Sequence, residues 1–233
     1  MSVPFFYISG YHGSQKQIVL DEDTSRHVVQ VLRMKKGERL NLTDGKGNLI
    51  ACEISEEHKK RCMVEVKGTS YKAQGTGRVT IAISLLKNSN RFEWFLEKAT
   101  EIGLHEIIPL ICERTEKEKF RFDRMQGICI SAMLQSQQVW LPVLSEPIDF
   151  KKVVEQSAVR QKFIAHCMEG TKSQLTNQLI NQSTLILIGP EGDFTKEEIE
   201  QALQNNFTPV SLGKTRLRTE TAGVVAAILL RLP

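Results

Sequence analysis

The residues best suited to chemistry lie in two glycine-bearing stretches near the C-terminus. In the first, the apolar run Leu185-Ile186-Leu187-Ile188 stops at Gly189-Pro190-Glu191-Gly192 and continues as Asp193-Phe194-Thr195. In the second, Ser211-Leu212-Gly213-Lys214-Thr215-Arg216-Leu217 leads into Arg218-Thr219-Glu220-Thr221-Ala222 and an apolar C-terminal segment. Glycine lets backbone N–H and C=O groups come close to a ligand, and Pro190 stiffens the first loop. Backbone amides displayed this way suit the edge of a purine better than a triphosphate, because no lysine closes the loop. Two tight loops at the ends of two strands are where an α/β protein usually keeps its ligand. The same residues also read as a plain strand-to-helix turn, and on their own they leave both readings open.

Other chemistries are excluded more firmly. The chain has no GxxxxGK[ST], HExxH, CxxC or GxSxG pattern, which removes the P-loop, the common zinc sites and the hydrolase elbow. Gly75-Thr76-Gly77 precedes a strand instead of joining strand to helix, so it is no dinucleotide fingerprint. The histidines are scattered, and His27 and His105 read as ordinary surface or half-buried residues. No metal is expected. Five cysteines, an odd number without paired spacing, point to reduced thiols.

These loops need a scaffold, and the hydrophobic pattern supplies one. From residue 78 strands alternate with helices: strands at 79–86, 106–111, 140–144, 162–166, 184–188 and 210–212. Helices are expected at 90–102, from about 122 to 134, at 149–157, 173–181, 195–205 and 220–232. This alternation predicts a parallel sheet covered on both faces. Gly103 is placed to end a helix, Asp149 to cap one, and Thr195 with Glu198 to form a capping box. Residues 1–71 look different. Short strands at 3–8, 39–54 (a hairpin with a Gly-rich loop) and 62–66, with one helix at 24–31, suggest a small β-barrel. Residues 72–77 are the expected linker and 78–233 the larger domain.

The 233 residues suffice for one large or two modest domains, with 41% hydrophobic and 25% charged side chains. The net charge of +4 is uneven. Residues 1–75 hold 12 Lys/Arg against 9 Asp/Glu, leaving 19 against 18 for the rest. Arg33, Lys35, Lys36 and Arg39 cluster in one turn, which is either a solvated loop or a phosphate-contacting patch. The N-terminus lacks the pattern of a signal peptide and no apolar run reaches the length of a membrane span, so a cytoplasmic protein is expected.

The two C-terminal stretches, in this order and spacing, resemble the SPOUT methyltransferases, and within them the 16S ribosomal RNA (uracil-N3)-methyltransferase family. Lys87-Asn88-Ser89-Asn90-Arg91, Glu97-Lys98-Ala99-Thr100-Glu101-Ile102-Gly103 and Ile108-Pro109 are similar to that family's middle block. The segment from His27 to Gly37 is similar to its PUA-like RNA-binding barrel. The resemblance therefore covers nearly the whole chain. It implies an α/β protein: an N-terminal PUA-like β-barrel, then a SPOUT domain with a parallel sheet and a deep trefoil knot. It also implies a homodimer, 16S ribosomal RNA of the small subunit as substrate, and S-adenosylmethionine as cofactor. Carried over by position, His166, Cys167, Gly189, Glu191, Gly192, Leu212, Gly213, Leu217, Thr219 and Ala222 would hold the cofactor. Arg218 would hold a uracil oxygen or a flanking phosphate. Glu220 would orient Arg218 or accept a proton, or else simply satisfy amides at a helix start. Arg33, Lys35, Lys36, Arg39, Lys87 and Arg91 would contact RNA. Two departures bear on substrate contacts: Leu134 and Gln138 stand where the family usually has Glu and Arg, and Val3-Pro4 precede the aromatic pair where an Arg is usual. Methylation of another RNA or of a ribose hydroxyl, or a non-catalytic assembly role, are the rival readings.

Overall fold

The computed structural model describes residues 3–75, 77–116, 119–178 and 182–231. The chain forms two compact units: residues 1–74 together with 133–141, and residues 75–132 together with 142–233.

The smaller unit is built on a five-stranded curled sheet in the order β1-β3-β4-β5-β2. Its strands are β1 (Phe5–Tyr7), β2 (Gln17–Val19), β3 (Arg39–Thr43), β4 (Asn48–Glu56) and β5 (Met63–Tyr71). β1 and β3 run parallel, while β3–β4, β4–β5 and β2–β5 are antiparallel. Alternation sets the inner face: Leu40 and Leu42 of β3, Ile50, Cys52 and Ile54 of β4, and Val64 of β5 are buried together with Leu20 and Val28. The expected hairpin is present. The short β2 was not legible, because only Ile18 of its three residues points inward. The expected helix at 24–31 is α1 (Glu22–Arg26) followed by a π-turn over His27–Val31. Asp21 starts it, accepting a hydrogen bond from the Thr24 N–H at 2.8 Å. Residues 133–141 join this unit through the β3–β4 loop: the Gly47 N–H donates to the Val139 carbonyl and the Leu141 N–H to the Gly45 carbonyl.

The larger unit holds a parallel sheet in the order β11-β13-β10-β12-β6-β7-β8, with β9 also paired to β7. Its strands are β6 (Val79–Ser84), β7 (Glu106–Ile111), β8 (Val143–Leu144), β9 (Ile148–Asp149), β10 (Gln161–Ala165), β11 (Ser173–Gln174), β12 (Thr184–Ile188) and β13 (Thr208–Ser211). Every residue of β6 and β12 is buried, as expected for strands covered on both faces. One face carries α2 (Ser89–Ile102) and α6 (Thr219–Arg231). A Cβ on Gly223 would lie 2.6 Å from the Phe95 ring and 2.8 Å from Ile83, so glycine brings α6 close to α2 and β6. α4 (Phe150–Gln156) and α5 (Lys196–Gln204) lie on the other face, where Phe150, Val154, Phe194 and Ile199 pack on Leu185, Leu187 and Ile164. α3 (Phe122–Gln135) is the remaining helix among the described residues.

Several local expectations hold. Gly103 ends α2 in the left-handed conformation, φ 88°. The capping box is formed: the Thr195 Oγ1 accepts from the Glu198 N–H, and the Glu198 Oε2 from the Thr195 N–H. Others are corrected. The helix expected at 173–181 is not formed over residues 173–178. Ser173 and Gln174 pair with β13 instead, and only a 3-10 turn, Leu175–Asn177, follows; residues 179–181 lie outside the described residues. Leu175 is the buried apolar anchor of that polar stretch, too little for an amphipathic helix. Asp149 makes no side-chain cap bond; its carboxylate pairs with Lys152 at 3.2 Å. In the expected strand 140–144 only Val143 and Leu144 pair with β7, while Trp140 bridges to Lys46.

Candidate active site

β13, β10 and β12 lie side by side and parallel, so their carboxyl ends share one edge of the sheet. The loops that leave those ends therefore emerge next to one another, where α/β folds bind ligands. Together they enclose a cavity of about 650 Å³. Its lining is residues 165–167 from the first loop, 188–191 and 193 from the second, and 210–219 with 222 from the third, joined by Arg91 and Lys172. That volume is typical of a small-molecule or cofactor site.

Each loop is held by specific contacts. A Cβ on Gly189 would sit 3.0 Å from the Phe194 ring and 3.2 Å from its nitrogen. Phe194 is itself fully buried, its ring 5.3 Å from that of Phe150, so the second loop folds tightly over its own core residue. The Asp193 N–H donates to the Pro190 carbonyl at 2.9 Å, closing the turn. Asp193 then adopts φ 64°, a left-handed conformation that Asp tolerates better than most residues. Its carboxylate accepts from the Cys167 N–H at 2.8 Å and from the Phe194 N–H at 2.9 Å, tying the second loop to the first. Lys172 braces the first loop from below, donating to the His166 and Met168 carbonyls. In the third loop Gly213 has φ 149°, a backbone open chiefly to glycine, and the Ser211 hydroxyl donates to its carbonyl at 2.8 Å.

The electrostatics are uneven across the cavity. His166 Nδ1 is buried without a protein partner. Burial pushes the His166 pKa down, Lys172 adds to the effect and Asp193 opposes it, which favours a neutral imidazole in the wall. On the other side Arg91 stands between two acids, 3.5 Å from Glu191 and 3.8 Å from Glu220. Glu220 is buried, and its second oxygen, Oε2, has no partner. A neutral imidazole with a free nitrogen, backbone edges held in place by the loop contacts and a half-neutralised acid pair suit a polar organic ligand of purine-nucleoside size. Among the described residues no three His, Cys, Asp or Glu side chains cluster as metal ligands.

His166, Cys167, Gly189, Glu191, Leu212, Gly213, Leu217, Arg218, Thr219 and Ala222 all line this cavity. Gly192 does not; its carbonyl accepts from Arg114 at 2.7 Å, on the outer side of the turn. Glu220 lies behind the wall, ion-paired with Arg91 and not with Arg218. Arg91, expected at the RNA, is among the residues that line the cavity. Lys87 is exposed and paired with Glu116 at 2.7 Å. Arg33, Lys35, Lys36 and Arg39 are exposed in the smaller unit, with Lys35 3.5 Å from Glu57. Asp193, Lys172 and Ser211 escaped the sequence reading. Asp193 lies beside the Gly189–Gly192 turn, where the glycines are the stronger signal, whereas nothing periodic marks Lys172.

Comparison with known proteins agrees with this geometry. A family model described as an RNA methyltransferase domain matches residues 73–231, and one described as an RNA methyltransferase PUA domain matches residues 20–67. Ribosomal RNA small subunit methyltransferase E of a Synechocystis species is 33% identical over 208 residues, 86% of this chain and 68% of that protein. The crystal structure of a probable rRNA-methyltransferase from Porphyromonas gingivalis superposes with a TM-score of 0.90 at 38% identity, covering 98% of each chain. A ribosomal RNA small subunit methyltransferase E from Neisseria gonorrhoeae, solved bound to S-adenosyl methionine, superposes with a TM-score of 0.86 at 28% identity, covering 97% of each chain. With a cavity at the strand ends and both parts of the chain matched in order, the protein belongs to the ribosomal RNA small subunit methyltransferase E family of RNA methyltransferases.

Proposed function

We propose that the protein transfers a methyl group from S-adenosylmethionine to uridine N3 in 16S ribosomal RNA of the small subunit. The observation that carries this reading is the three-loop cavity, whose wall offers an unpartnered His166 Nδ1 and backbone edges from Gly189 and Gly213. Such groups fit the adenine and ribose of the donor. Bound there, the cofactor supplies an electrophilic methyl group on a sulfonium. The remaining work falls to the chain. Uracil N3–H is a weak acid, so the developing anion needs compensation. Arg218, exposed at the rim, neutralises charge on a uracil oxygen or holds a flanking phosphate. Glu220, buried behind Arg91 and paired with it at 3.8 Å, acts by setting that arginine's position. A target base inside paired RNA must first be extruded, and the exposed cations at Arg33, Lys36 and Arg39 supply grip on the backbone.

A deep trefoil knot and a homodimer belong to the same proposal. The adjacency of β13, β10 and β12, whose loops meet in one pocket, supports the knot. Ribosomal RNA as substrate puts the protein in the cytoplasm; among the described residues no helix is long and apolar enough to cross a membrane.

Nucleoside mass spectrometry of 16S ribosomal RNA from a strain lacking the gene tests the acceptor. Loss of N3-methyluridine is expected. Its retention alongside loss of a ribose-methylated nucleoside overturns uridine N3. Calorimetry with S-adenosylmethionine tests the donor, and absence of binding at any accessible concentration removes it.

A further inference from the structure

The smaller unit carries, away from its basic turn, a rigid aromatic feature flanked by free cations. At the end of β5 the Tyr71 side chain is 63% exposed, one of the most exposed large hydrophobic side chains in the protein. It is held edge-on by Trp140, ring centroids 5.9 Å apart. Trp140 is in turn fixed by its indole N–H, which donates to the Lys72 carbonyl at 2.8 Å. Both rings sit on the β3–β4 loop: a Cβ on Gly47 would lie 2.6 Å from Trp140 and 2.7 Å from Tyr71. The loop is itself locked by the buried Asp44 carboxylate, which accepts from the Lys46 N–H at 2.9 Å and the Asn48 side-chain amide at 2.6 Å. Lys46 and Lys72 flank the rings, both exposed, and neither makes an ion pair among the described residues.

We propose that Tyr71, Lys46 and Lys72 form a second RNA contact, a platform on which an unpaired base stacks while its flanking phosphates meet the two lysines. An aromatic face held rigid beside unpaired ammonium groups is the arrangement that binds single-stranded nucleic acid without regard to sequence. The platform and the Arg33–Arg39 turn lie at opposite ends of β3, which spans five residues, a separation of about 17 Å. Two anchors that far apart fix the direction of a strand as well as its attachment, which one basic turn cannot do. This inference rests on RNA being the substrate.

The test uses the full-length protein and a fluorescein-labelled single-stranded oligouridylate, read by anisotropy over a range of salt. Tyr71→Ala is expected to weaken binding by about fivefold to a hundredfold, and Tyr71→Phe to restore it. Lys46→Ala combined with Lys72→Ala is expected to lower the slope of log K against log salt by about 1.4. A labelled duplex RNA is expected to show the lysine effect but not the tyrosine effect. Tyr71→Ala and double-lysine variants that bind like the parent overturn the platform alone, and would fit a protein partner at this surface instead. A parent protein that binds neither oligouridylate nor 16S ribosomal RNA overturns the RNA reading itself, and the platform with it.

Discussion

The cavity and the smaller unit's basic surface, proposed for the methyl donor and for RNA, are built in opposite ways. The cavity is made of backbone: loops bent at Gly189 and Gly213, closed by Asp193 and Ser211, and set on neighbouring strands of which β12 is buried along its whole length. The surface is made of side chains: Arg33, Lys36, Arg39, Lys46 and Lys72 are all exposed to solvent. A backbone site tolerates little change, because each loop shape depends on what is buried beneath it. A side-chain site is modular, and single losses subtract from affinity without disturbing the fold. Substitutions in the two regions should therefore separate stability, donor binding and RNA binding.

The largest effect is expected beneath the second loop. Phe194 is fully buried against Phe150 and supports Gly189. Phe194→Ala should cost about 3–5 kcal/mol in urea unfolding, with S-adenosylmethionine affinity falling in parallel in whatever fraction stays folded. Donor affinity left intact in folded Phe194→Ala protein would mean the loop holds its shape without that ring.

Next comes a buried histidine at the opposite edge of the same sheet. His105 Nδ1 accepts from the Val79 N–H at 3.1 Å, and its Nε2 is buried without a partner. Burial, reinforced by Arg231 and Arg78, lowers its pKa from 6.5 to about 4. The unfolded chain therefore binds the proton more readily between those two values. Stability should be constant above about pH 6.5, fall as pH drops toward 4, and level off below. The loss is on the order of 2–3 kcal/mol, and His166 adds in the same direction. Urea midpoints measured across this range should flatten in His105→Asn, whose carbonyl can still accept from Val79. An unchanged slope assigns the acid sensitivity elsewhere.

Asp193 tests the coupling between loops directly. Asp193→Ala removes both acceptors from the Cys167 and Phe194 amides, and a charge-assisted bond contributes up to about 1.5–3 kcal/mol apiece, less where, as at Cys167, it is exposed. Because these bonds shape the cavity and do not fill the core, the change should fall mainly on donor affinity, read by calorimetry. Asp193→Asn keeps a residue tolerant of φ 64° and one acceptor, and should lose less. Equal losses in both variants would point to the charge, not the hydrogen bonds.

The same contrast explains what could be read from the sequence. The sheet was legible because β6 and β12 are continuous apolar runs, and α5 because Thr195 and Glu198 announce its start. The second loop was legible because a backbone that must bend over Phe194 requires glycine at position 189. The start of the expected helix at 173–181 was misread because Ser173 and Gln174 are ordered by pairing with β13, a partner more than 30 positions away that leaves no local period. The ion pairs of Arg91 were not legible for a related reason: a cation looks the same in sequence whatever acids it meets, here the exposed Glu191 and the buried Glu220. Nor could periodicity indicate that residues 133–141 join the smaller unit, since that depends on Gly45 and Gly47 leaving room for Leu141 and Trp140.

The smallest effect on stability is expected at the basic turn, where it bears most on the comparison. Lys36 and Arg39 are exposed and make no ion pair among the described residues, so replacing both by alanine should change stability by less than about 0.5 kcal/mol. If the turn grips phosphates, the slope of log K against log salt for RNA should drop by about 1.4, with S-adenosylmethionine affinity unchanged. Methyl transfer to 16S ribosomal RNA should then fail through KM and not kcat, because the reacting groups in the cavity are intact. A variant that loses kcat at saturating RNA would show that the smaller unit does more than hold substrate. Its cations would then have to act on the geometry of the reacting base, and the division between a backbone-built donor site and a side-chain-built RNA surface would not stand.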